Sequence, residues 1–161
     1  MPFFPQALWK STQVLAPKPH LMRCFSHQID NITESLLSDT QRSVRREIQK
    51  LCSQFPDSYW AEADRNHKYP IDFRKAMTSG GWLGIMLPAE YGGSELGVSE
   101  ATVMMQTIAE SGAGIVGAQS IHANIYPLVP VAKFGSKEQK NRWLSALIEG
   151  KNTSCFGITE P

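Results

Sequence analysis

The side chains that could carry out chemistry are few in this sequence and lie far apart. Three cysteines, Cys24, Cys52 and Cys155, are separated by long stretches, and none belongs to a Cys-x-x-Cys or Cys/His cluster. An odd, sparse set of this kind is typical of free thiols in a reducing compartment. The sequence therefore predicts neither a disulfide scaffold nor a zinc site, and we expect no metal ligands.

The last stretch, residues 151–161, departs from the pattern of the rest of the chain. Helical periodicity gives way at Asn152 to a short β-prone run from Thr153 to Thr159, and the sequence stops two residues later. A lone strand would present an open edge, which soluble proteins usually avoid or cover. We therefore expect residues 151–161 to be the first strand of a β-domain that this sequence does not include. The alternative is that the strand pairs with another chain.

The composition of the 161 residues predicts one ordinary core with an extension. Apolar residues make up 42% and charged residues 19%, which suits a single globular domain. The formal net charge of +1 argues against a nucleic-acid or membrane-surface partner held by bulk electrostatics. No apolar run approaches the roughly 18 residues that a membrane-spanning helix needs.

Residues 1–29 differ in kind from the remainder. They contain Lys10, Lys18 and Arg23 but neither Asp nor Glu, so all 15 acidic residues lie further along the chain. Basic, acid-poor N-termini are typical of mitochondrial transit peptides, and the run Arg-Cys-Phe-Ser beginning at Arg23 resembles a matrix-protease cleavage site. The hypothesis is a mitochondrial leader. The alternative is a leader with no address, because four prolines limit any helix there.

Residues 30–150 show helical spacing throughout, which predicts an all-α domain of five or six helices. Two capping boxes mark helix starts, Ser38 with Gln41 and Ser136 with Gln139. The expected helices run from Ser38 to Pro56, over 71–79, from Ser99 to about Ser111, over 119–134 and over 136–150. For the first of these helices, an earlier start at Thr33 is the alternative.

The segments between these helices carry their own expectations. Residues 57–68 are typical of a polar connector with one aromatic anchor, and residues 82–88 of a buried, extended connector. The pair Gly92-Gly93 indicates positive φ or a close approach of backbone. Pro127 and Pro130 predict a kink or break, because each removes an amide donor and clashes with the preceding helical turn.

Several short motifs follow one another in a distinctive order. In chain order they are Trp82-Leu83-Gly84, Leu87 to Gly93, Ser99-Glu100, Ile108-Ala109-Glu110, Phe134-Gly135-Ser136 with Gln139-Lys140, Gly150, and Phe156 to Pro161. Each piece is weak alone, and the evidence is their joint order and spacing. Together they resemble the N-terminal helical domain of the acyl-CoA dehydrogenase family, closely over 69–161 and loosely in the helix before.

The resemblance implies a flavoenzyme built from an N-terminal helical domain, a middle β-domain and a C-terminal four-helix bundle. Family members desaturate an acyl-CoA thioester at its α and β carbons, a glutamate taking the α-proton and FAD the β-hydride. By resemblance, Phe156, Ile158 and Thr159 line the flavin, while His122 and Tyr126 match positions that wall the acyl pocket. No residue here is assigned as catalytic, since the family's base and most of the FAD site are expected to lie in parts that this sequence does not include.

Two functions remain in contention. The chain is either the N-terminal portion of an FAD-dependent acyl-CoA dehydrogenase of fatty acid metabolism, inactive and without retained FAD on its own, or a helical interaction module that associates with itself or with an intact homologue. A complete small flavoprotein is disfavoured because the terminal strand has no sheet to join. The leader favours the mitochondrial matrix, with the cytoplasm or peroxisome as alternatives.

Overall fold

The computed structural model describes residues 34–155 together with Gly157 and Thr159. The expected leader, residues 1–29, and the candidate flavin contacts Phe156 and Ile158 lie outside the described residues. The chain divides into two units, Met1–Leu37 and Ser38–Pro161. In the described part of the first unit, residues 34–36 are helical. All that follows concerns the second unit.

The second unit is all-α in its described residues, as predicted. Its helices are α1 (Asp39–Cys52), α2 (Asp57–Arg65), α3 (Ile71–Ser79), α4 (Val98–Ile108), α5 (Gly114–Ile125), α6 (Leu128–Phe134) and α7 (Lys137–Ile148). Because α5 and α6 continue one another across Pro127, they form a single kinked helix. The described unit then has six helices, and the prediction of an all-α domain with five or six helices is confirmed. No strand occurs among residues 34–155, so the β-prone residues 153–155 are not paired in a sheet.

Both predicted capping boxes form. At the start of α1, the Ser38 hydroxyl accepts the Gln41 backbone N–H at 3.2 Å, and the Gln41 side chain accepts the Ser38 N–H at 3.0 Å. The corresponding distances at the start of α7, between Ser136 and Gln139, are 3.2 and 2.8 Å. Each box satisfies two amide donors that a helix start would otherwise leave without partners.

The core consists of a larger and a smaller cluster of buried side chains, which lie between different helices. The larger cluster lies between α1, α3, α4 and α5 and is formed by buried side chains including Val44, Ile48, Phe73, Met77, Leu83, Ile85, Met104, Ile108 and Ile121. The smaller one joins α6 to α7 through Leu87, Leu128, Leu144, Leu147 and Ile148. Helix α5 therefore has its inner face fixed in the larger cluster, which leaves its outer face to build a site.

The expected connector over 57–68 is wrong, because Asp57–Arg65 forms α2. Pro56 does not end α1, which stops at Cys52, but instead supplies the extended residue before α2. The polar composition of this segment did not indicate a helix, because Tyr59 and Trp60 are the main side chains that it packs against the core. Tyr59 packs edge-on against Phe55 and Trp60, and Trp60 against Phe73, at centroid distances of 5.0 to 5.1 Å, so the predicted aromatic anchor is present.

The segment 82–88 is buried as predicted but is not extended. It begins with a 3₁₀ turn, Trp82–Gly84, and its alternate residues Leu83, Ile85 and Leu87 are almost fully buried. Gly81, with φ of 75°, supplies the reversal before that turn. The tight turn buries Leu83, Gly84 and Ile85 in succession, whereas a strand would send successive side chains to opposite faces.

Helix boundaries around residue 112 also differ from the expectation. Helix α4 starts after Gly97, two residues earlier than predicted, and passes into a π turn, Ala109–Ala113. Gly112 has φ of 95° within that turn, so the predicted interruption is real. Helix α5 then begins at Gly114, five residues before the predicted start at residue 119, and ends at Ile125, where Pro127 breaks the run as predicted.

Candidate functional site

Helix α5 and the residue that follows it present His122 and Tyr126, the two residues that the family resemblance assigns to an acyl pocket. His122 and Tyr126 are four residues apart, a spacing that places side chains above one another on one helix face. Their ring centroids lie 4.3 Å apart with an angle of 30° between the ring planes. The two rings therefore lie next to each other on one side of the helix, and we call them the ring pair.

The ring pair lines an apolar groove of about 600 Å³, here named the His122 groove. Its other walls come from the segment before α4, from α4 itself and from the kink into α6. The lining residues are Met86, Val98, Ala101, Thr102, Met105, His122, Ile125, Tyr126, Val129 and Pro130. The Thr102 hydroxyl is already used, donating to the Val98 carbonyl oxygen at 2.8 Å, so the groove is suited to an apolar, flexible group.

A second groove of about 600 Å³ lies along the neighbouring face of α5 and is here named the Ser154 groove. It is lined by Tyr69, Pro70, Ile115, Val116, Gln119, Ser120, Ala123, Asn124, Thr153 and Ser154. Ile115 is 81% exposed and Val116 is 54% exposed. Large aliphatic side chains exposed next to each other beside a groove are typical of a surface that contacts another group.

The chain leaves α7 through residues 151–155, which we call the exit segment. Asn152 accepts a hydrogen bond from the Arg74 guanidinium at 3.1 Å through its carbonyl oxygen. Ser154 donates its backbone N–H to Asn124 Oδ1 at 3.4 Å and its hydroxyl to the Ala123 carbonyl oxygen at 3.1 Å. These contacts join the exit segment to α3 and α5, so the segment lies against the helices instead of forming a free edge.

The predicted flavin contacts follow this segment directly. Thr159 is exposed, which leaves its hydroxyl accessible. At Gly157 an added Cβ would meet no atom within 4 Å, so the backbone there is open to an approaching group. Phe156 and Ile158 lie outside the described residues, and their assignment stays a prediction.

The glutamates near the site have structural roles. Glu100 accepts the Gly97 backbone N–H at 3.0 Å at the start of α4. Glu110 pairs with the Arg45 guanidinium at 3.1 Å, where Arg45 is buried between α1 and the π turn. Among residues 34–155, no group of three His, Cys, Asp or Glu side chains could hold a metal ion. The helices of the described residues also include none with the length and the hydropathy of a membrane span.

The two described cysteines lie in opposite environments. Cys52 is buried in the core, whereas Cys155 in the exit segment is exposed. Burial raises the pKa of the Cys52 thiol, a shift that its hydrogen bond with Ser111 partly offsets. Cys52 is therefore a structural thiol that stays protonated at neutral pH.

Comparison with known proteins assigns the whole helical unit. The family model for the acyl-CoA dehydrogenase N-terminal domain matches residues 38–151. The chain belongs to the acyl-CoA dehydrogenase family. The match starts at the capping residue of α1 and ends just past α7, so it includes every helix of the second unit.

Named relatives agree with this family. The chain is 30% identical over 132 residues to acyl-CoA dehydrogenase FadE12 of Mycobacterium tuberculosis, covering 80% of this chain and 33% of that protein. It is 34% identical over 101 residues to the human mitochondrial short-chain specific acyl-CoA dehydrogenase, covering 63% of this chain and 24% of the relative. The chain thus spans about a third or less of the acyl-CoA dehydrogenases that it matches.

A solved structure shares the fold. A chain in the structure described as the electron transferring flavoprotein of Acidaminococcus fermentans superposes with a TM-score of 0.69 at 27% identity, covering 78% of this chain and 33% of that one. This likeness shows that the helical fold of the chain occurs in a solved structure.

Two buried polar residues of the site were missed from the sequence. Arg74 and Asn124 are only 8% and 6% exposed, yet both bond to the exit segment. Arg74 lies one residue from Phe73 and three from Met77, the pair that marks the buried face of α3. A charged residue so close to an apolar stripe was the available signal, because it must either reach solvent or find a buried partner.

Proposed function

We propose that this chain supplies the N-terminal helical part of an FAD-dependent acyl-CoA dehydrogenase, which desaturates an acyl-CoA thioester between its α and β carbons. Membership of the family and the helical fold support this activity. In the proposed organisation, residues 30–150 form the helical domain, and residues 151–161 lead into the middle β-domain. On its own, we expect the chain to be inactive.

We assign the His122 groove to the acyl chain of the substrate. Its walls are aliphatic and thioether groups, and methionines such as Met86 and Met105 adapt to flexible apolar ligands. An alkyl chain placed there removes apolar surface from water, a gain of about 0.8 kcal/mol for each buried methylene. The ring pair of His122 and Tyr126 closes one side, so these two side chains contact the alkyl group.

We assign Phe156, Ile158 and Thr159 to the flavin. The fit rests on the described neighbours, since an added Cβ at Gly157 would meet no atom within 4 Å and Thr159 is exposed. When bound, FAD supplies the hydride acceptor for the desaturation. The residues of this chain bind and orient: backbone groups at 156–159 contact the ring, and the Thr159 hydroxyl forms a hydrogen bond with it.

The observation that carries this proposal is that one helix serves both sites. Helix α5 contributes His122 to the wall of the His122 groove. The same helix contributes Ser120 and Asn124, which lie two residues before and two residues after His122, to the Ser154 groove. Asn124 also contacts the exit segment at Ser154. The acyl group and the residues before the flavin contacts are thereby held to one rigid element, as hydride transfer between substrate and cofactor requires.

The test is a fusion of this chain to the middle and C-terminal domains of the human short-chain enzyme. We expect the unextended chain to be colourless after incubation with FAD and desalting, and the fusion to retain a flavin absorbance band and to reduce an electron acceptor when given an acyl-CoA. A stoichiometric flavin band in the unextended chain would contradict the assignment of the chain to one part of the enzyme, and a colourless, inactive fusion would contradict the proposed function.

Two substitutions in that fusion test the residue assignments. Thr159→Val removes one neutral hydrogen bond and should weaken flavin binding by about 0.5–1.5 kcal/mol. Thr40→Val, which removes an exposed hydroxyl in the first turn of α1, is the matched control and should leave binding unchanged. For the groove, His122→Leu should alter the KM for long acyl chains more than for short ones. Equal changes across chain lengths would remove His122 from the acyl pocket.

A second candidate function is association with another protein. The neighbouring exposed side chains Ile115 and Val116 favour contact with a second copy or with an intact homologue. If residues 1–29 act as a leader, this contact takes place in the mitochondrial matrix; the human relative is named as a mitochondrial protein. The cytoplasm and the peroxisome are the alternatives if the leader carries no address.

A further inference from the structure

We propose that Arg74 and Asn124 are positioning residues that anchor the exit segment and thereby set where the flavin-contacting residues begin. Arg74 acts on Asn152, and Asn124 acts on Ser154. This inference rests on the proposed flavin role of Phe156 to Thr159. It adds two residues, from helices α3 and α5, to a site that otherwise consists of the chain end and the grooves.

Arg74 is an unusual residue to bury. It is 8% exposed, and among residues 38–155 no carboxylate lies within ion-pair distance of it. Its guanidinium donates to the Asn152 carbonyl oxygen at 3.1 Å, while its Nε is buried without a hydrogen-bond partner. Burying a charge without a counter-ion is costly. A shorter apolar side chain would pack on α3 without that cost, so the position is explained by what Arg74 holds.

Asn124 is buried too, and both ends of its amide are engaged. Its Nδ2 donates to the Ser120 carbonyl oxygen one turn earlier at 2.9 Å, which fixes the orientation of the amide. Its Oδ1 then accepts the Ser154 backbone N–H at 3.4 Å. A hydroxyl contact from Ser154 to the Ala123 carbonyl oxygen at 3.1 Å supports the same junction. Helix α5 therefore holds Asn124 Oδ1 in a fixed orientation, as a hydrogen-bond acceptor for the exit segment.

Anchors at two alternate residues fix direction as well as position. In an extended chain each residue advances about 3.3 Å, so Thr159 can lie at most about 17 Å beyond Ser154. With Asn152 and Ser154 both held, the chain enters the flavin contacts along one line. Releasing either anchor spreads the exit segment over several orientations, and the apparent affinity for flavin falls in proportion to the fraction that remains correctly placed.

The anchoring is tested by hydrogen exchange on the full 161-residue chain, which needs no flavin. We expect Arg74→Met and Asn124→Ala each to accelerate amide exchange over residues 151–155 about tenfold, with exchange in α7 unchanged. Arg74→Lys, which keeps a donor, should restore part of the protection. The control is Lys75→Met, an exposed neighbour on α3, which should change nothing. If Arg74→Met fails to fold, Arg74→Gln and Asn124→Ala decide the matter.

The consequence for flavin is tested in the fusion described above. Arg74→Met should raise the Kd for FAD about fivefold to tenfold and broaden the flavin absorbance band, while Lys75→Met should do neither. Unchanged exchange over 151–155 overturns the anchoring, and so does acceleration spread over all helices. Faster exchange with unchanged flavin affinity overturns the positioning role. A wild-type fusion that holds no flavin is a failure of the proposed function instead, and exchange alone then decides the anchoring.

Discussion

The loop that supports one wall of the His122 groove makes a sharp prediction about two adjacent glycines. Gly92 has φ of 90°, and an added Cβ there would meet nothing within 4 Å. Gly93 is the reverse case, because an added Cβ would overlap the Leu87 carbonyl group and lie 2.8 Å from Leu87 Cβ. The two positions thus separate the cost of backbone conformation from the cost of steric overlap.

The magnitudes follow from these two situations. Gly92→Ala forces an L-residue into the left-handed region, at a cost of about 1–2 kcal/mol. Gly93→Ala must move backbone, and the movement puts at risk three loop hydrogen bonds, those donated by Ser94, Glu95 and Leu96, each 2.9 Å long. At about 1 kcal/mol for each bond, the loss is about 3 kcal/mol before any repacking around Met86, which lines the His122 groove.

Urea unfolding followed by circular dichroism measures both costs on the same chain. Gly93→Ala should lower the unfolding free energy at least 1 kcal/mol more than Gly92→Ala does. Gly92→Asn serves as the control, since asparagine tolerates the left-handed region and should lose less than alanine. Equal losses at the two glycines, or a smaller loss at Gly93, would refute the close-approach explanation of this loop.

Three further predictions concern the thiols, the surface and the leader. In a Cys24→Ser background, Cys155 should react with a thiol reagent at neutral pH, while Cys52 should react only on unfolding. Burial raises the pKa of the Cys52 thiol in the folded chain. The stability that the protonated thiol contributes is therefore present below the unfolded pKa and is lost as the pH rises through the folded pKa. Rapid labelling of Cys52 in the folded chain would contradict this. The chain should self-associate at high concentration through Ile115 and Val116, and Ile115→Gln should shift sedimentation toward monomer, whereas an unshifted profile would exclude this surface. Residues 1–29 fused to a fluorescent reporter should direct it to mitochondria with cleavage near Phe25, and a cytosolic, uncut reporter would reject the leader hypothesis.

Helix starts with side-chain caps were predictable from the sequence because their chemistry is local. Ser38 with Gln41 and Ser136 with Gln139 each form within four residues, so no knowledge of the fold is needed to read them. Helix α2 was missed for the opposite reason. Its stability depends on Trp60 packing against Phe73 of α3 and on Tyr59 packing against Phe55, and these tertiary contacts override a polar local composition.

The residues of the candidate site also differ in whether the sequence could predict them. His122 and Tyr126 could be named through the family resemblance, and the structure brings their rings together beside an apolar groove. The contacts of Arg74 and Asn124 could not, because they join residues 78 and 30 positions apart in the chain. Hydrogen bonds over such separations leave no periodic signal, and composition marks only that a polar residue occupies a buried stripe.

The distribution of buried polar residues bears on why the exit segment is held so firmly. The buried polar side chains of the described unit are Arg45, Arg74, Thr107, Ser120 and Asn124. The first is paired with Glu110, and Thr107 donates within its own helix. Ser120 likewise donates its hydroxyl within its own helix, to the Gly117 carbonyl oxygen. The remaining two, Arg74 and Asn124, bond to the exit segment. Buried polar groups destabilise a domain unless each finds a partner. A helical unit that needed only stability could have aliphatic residues at positions 74 and 124, so the convergence of these two side chains on residues 152–154 indicates that they secure the path of the chain toward residues 156–159.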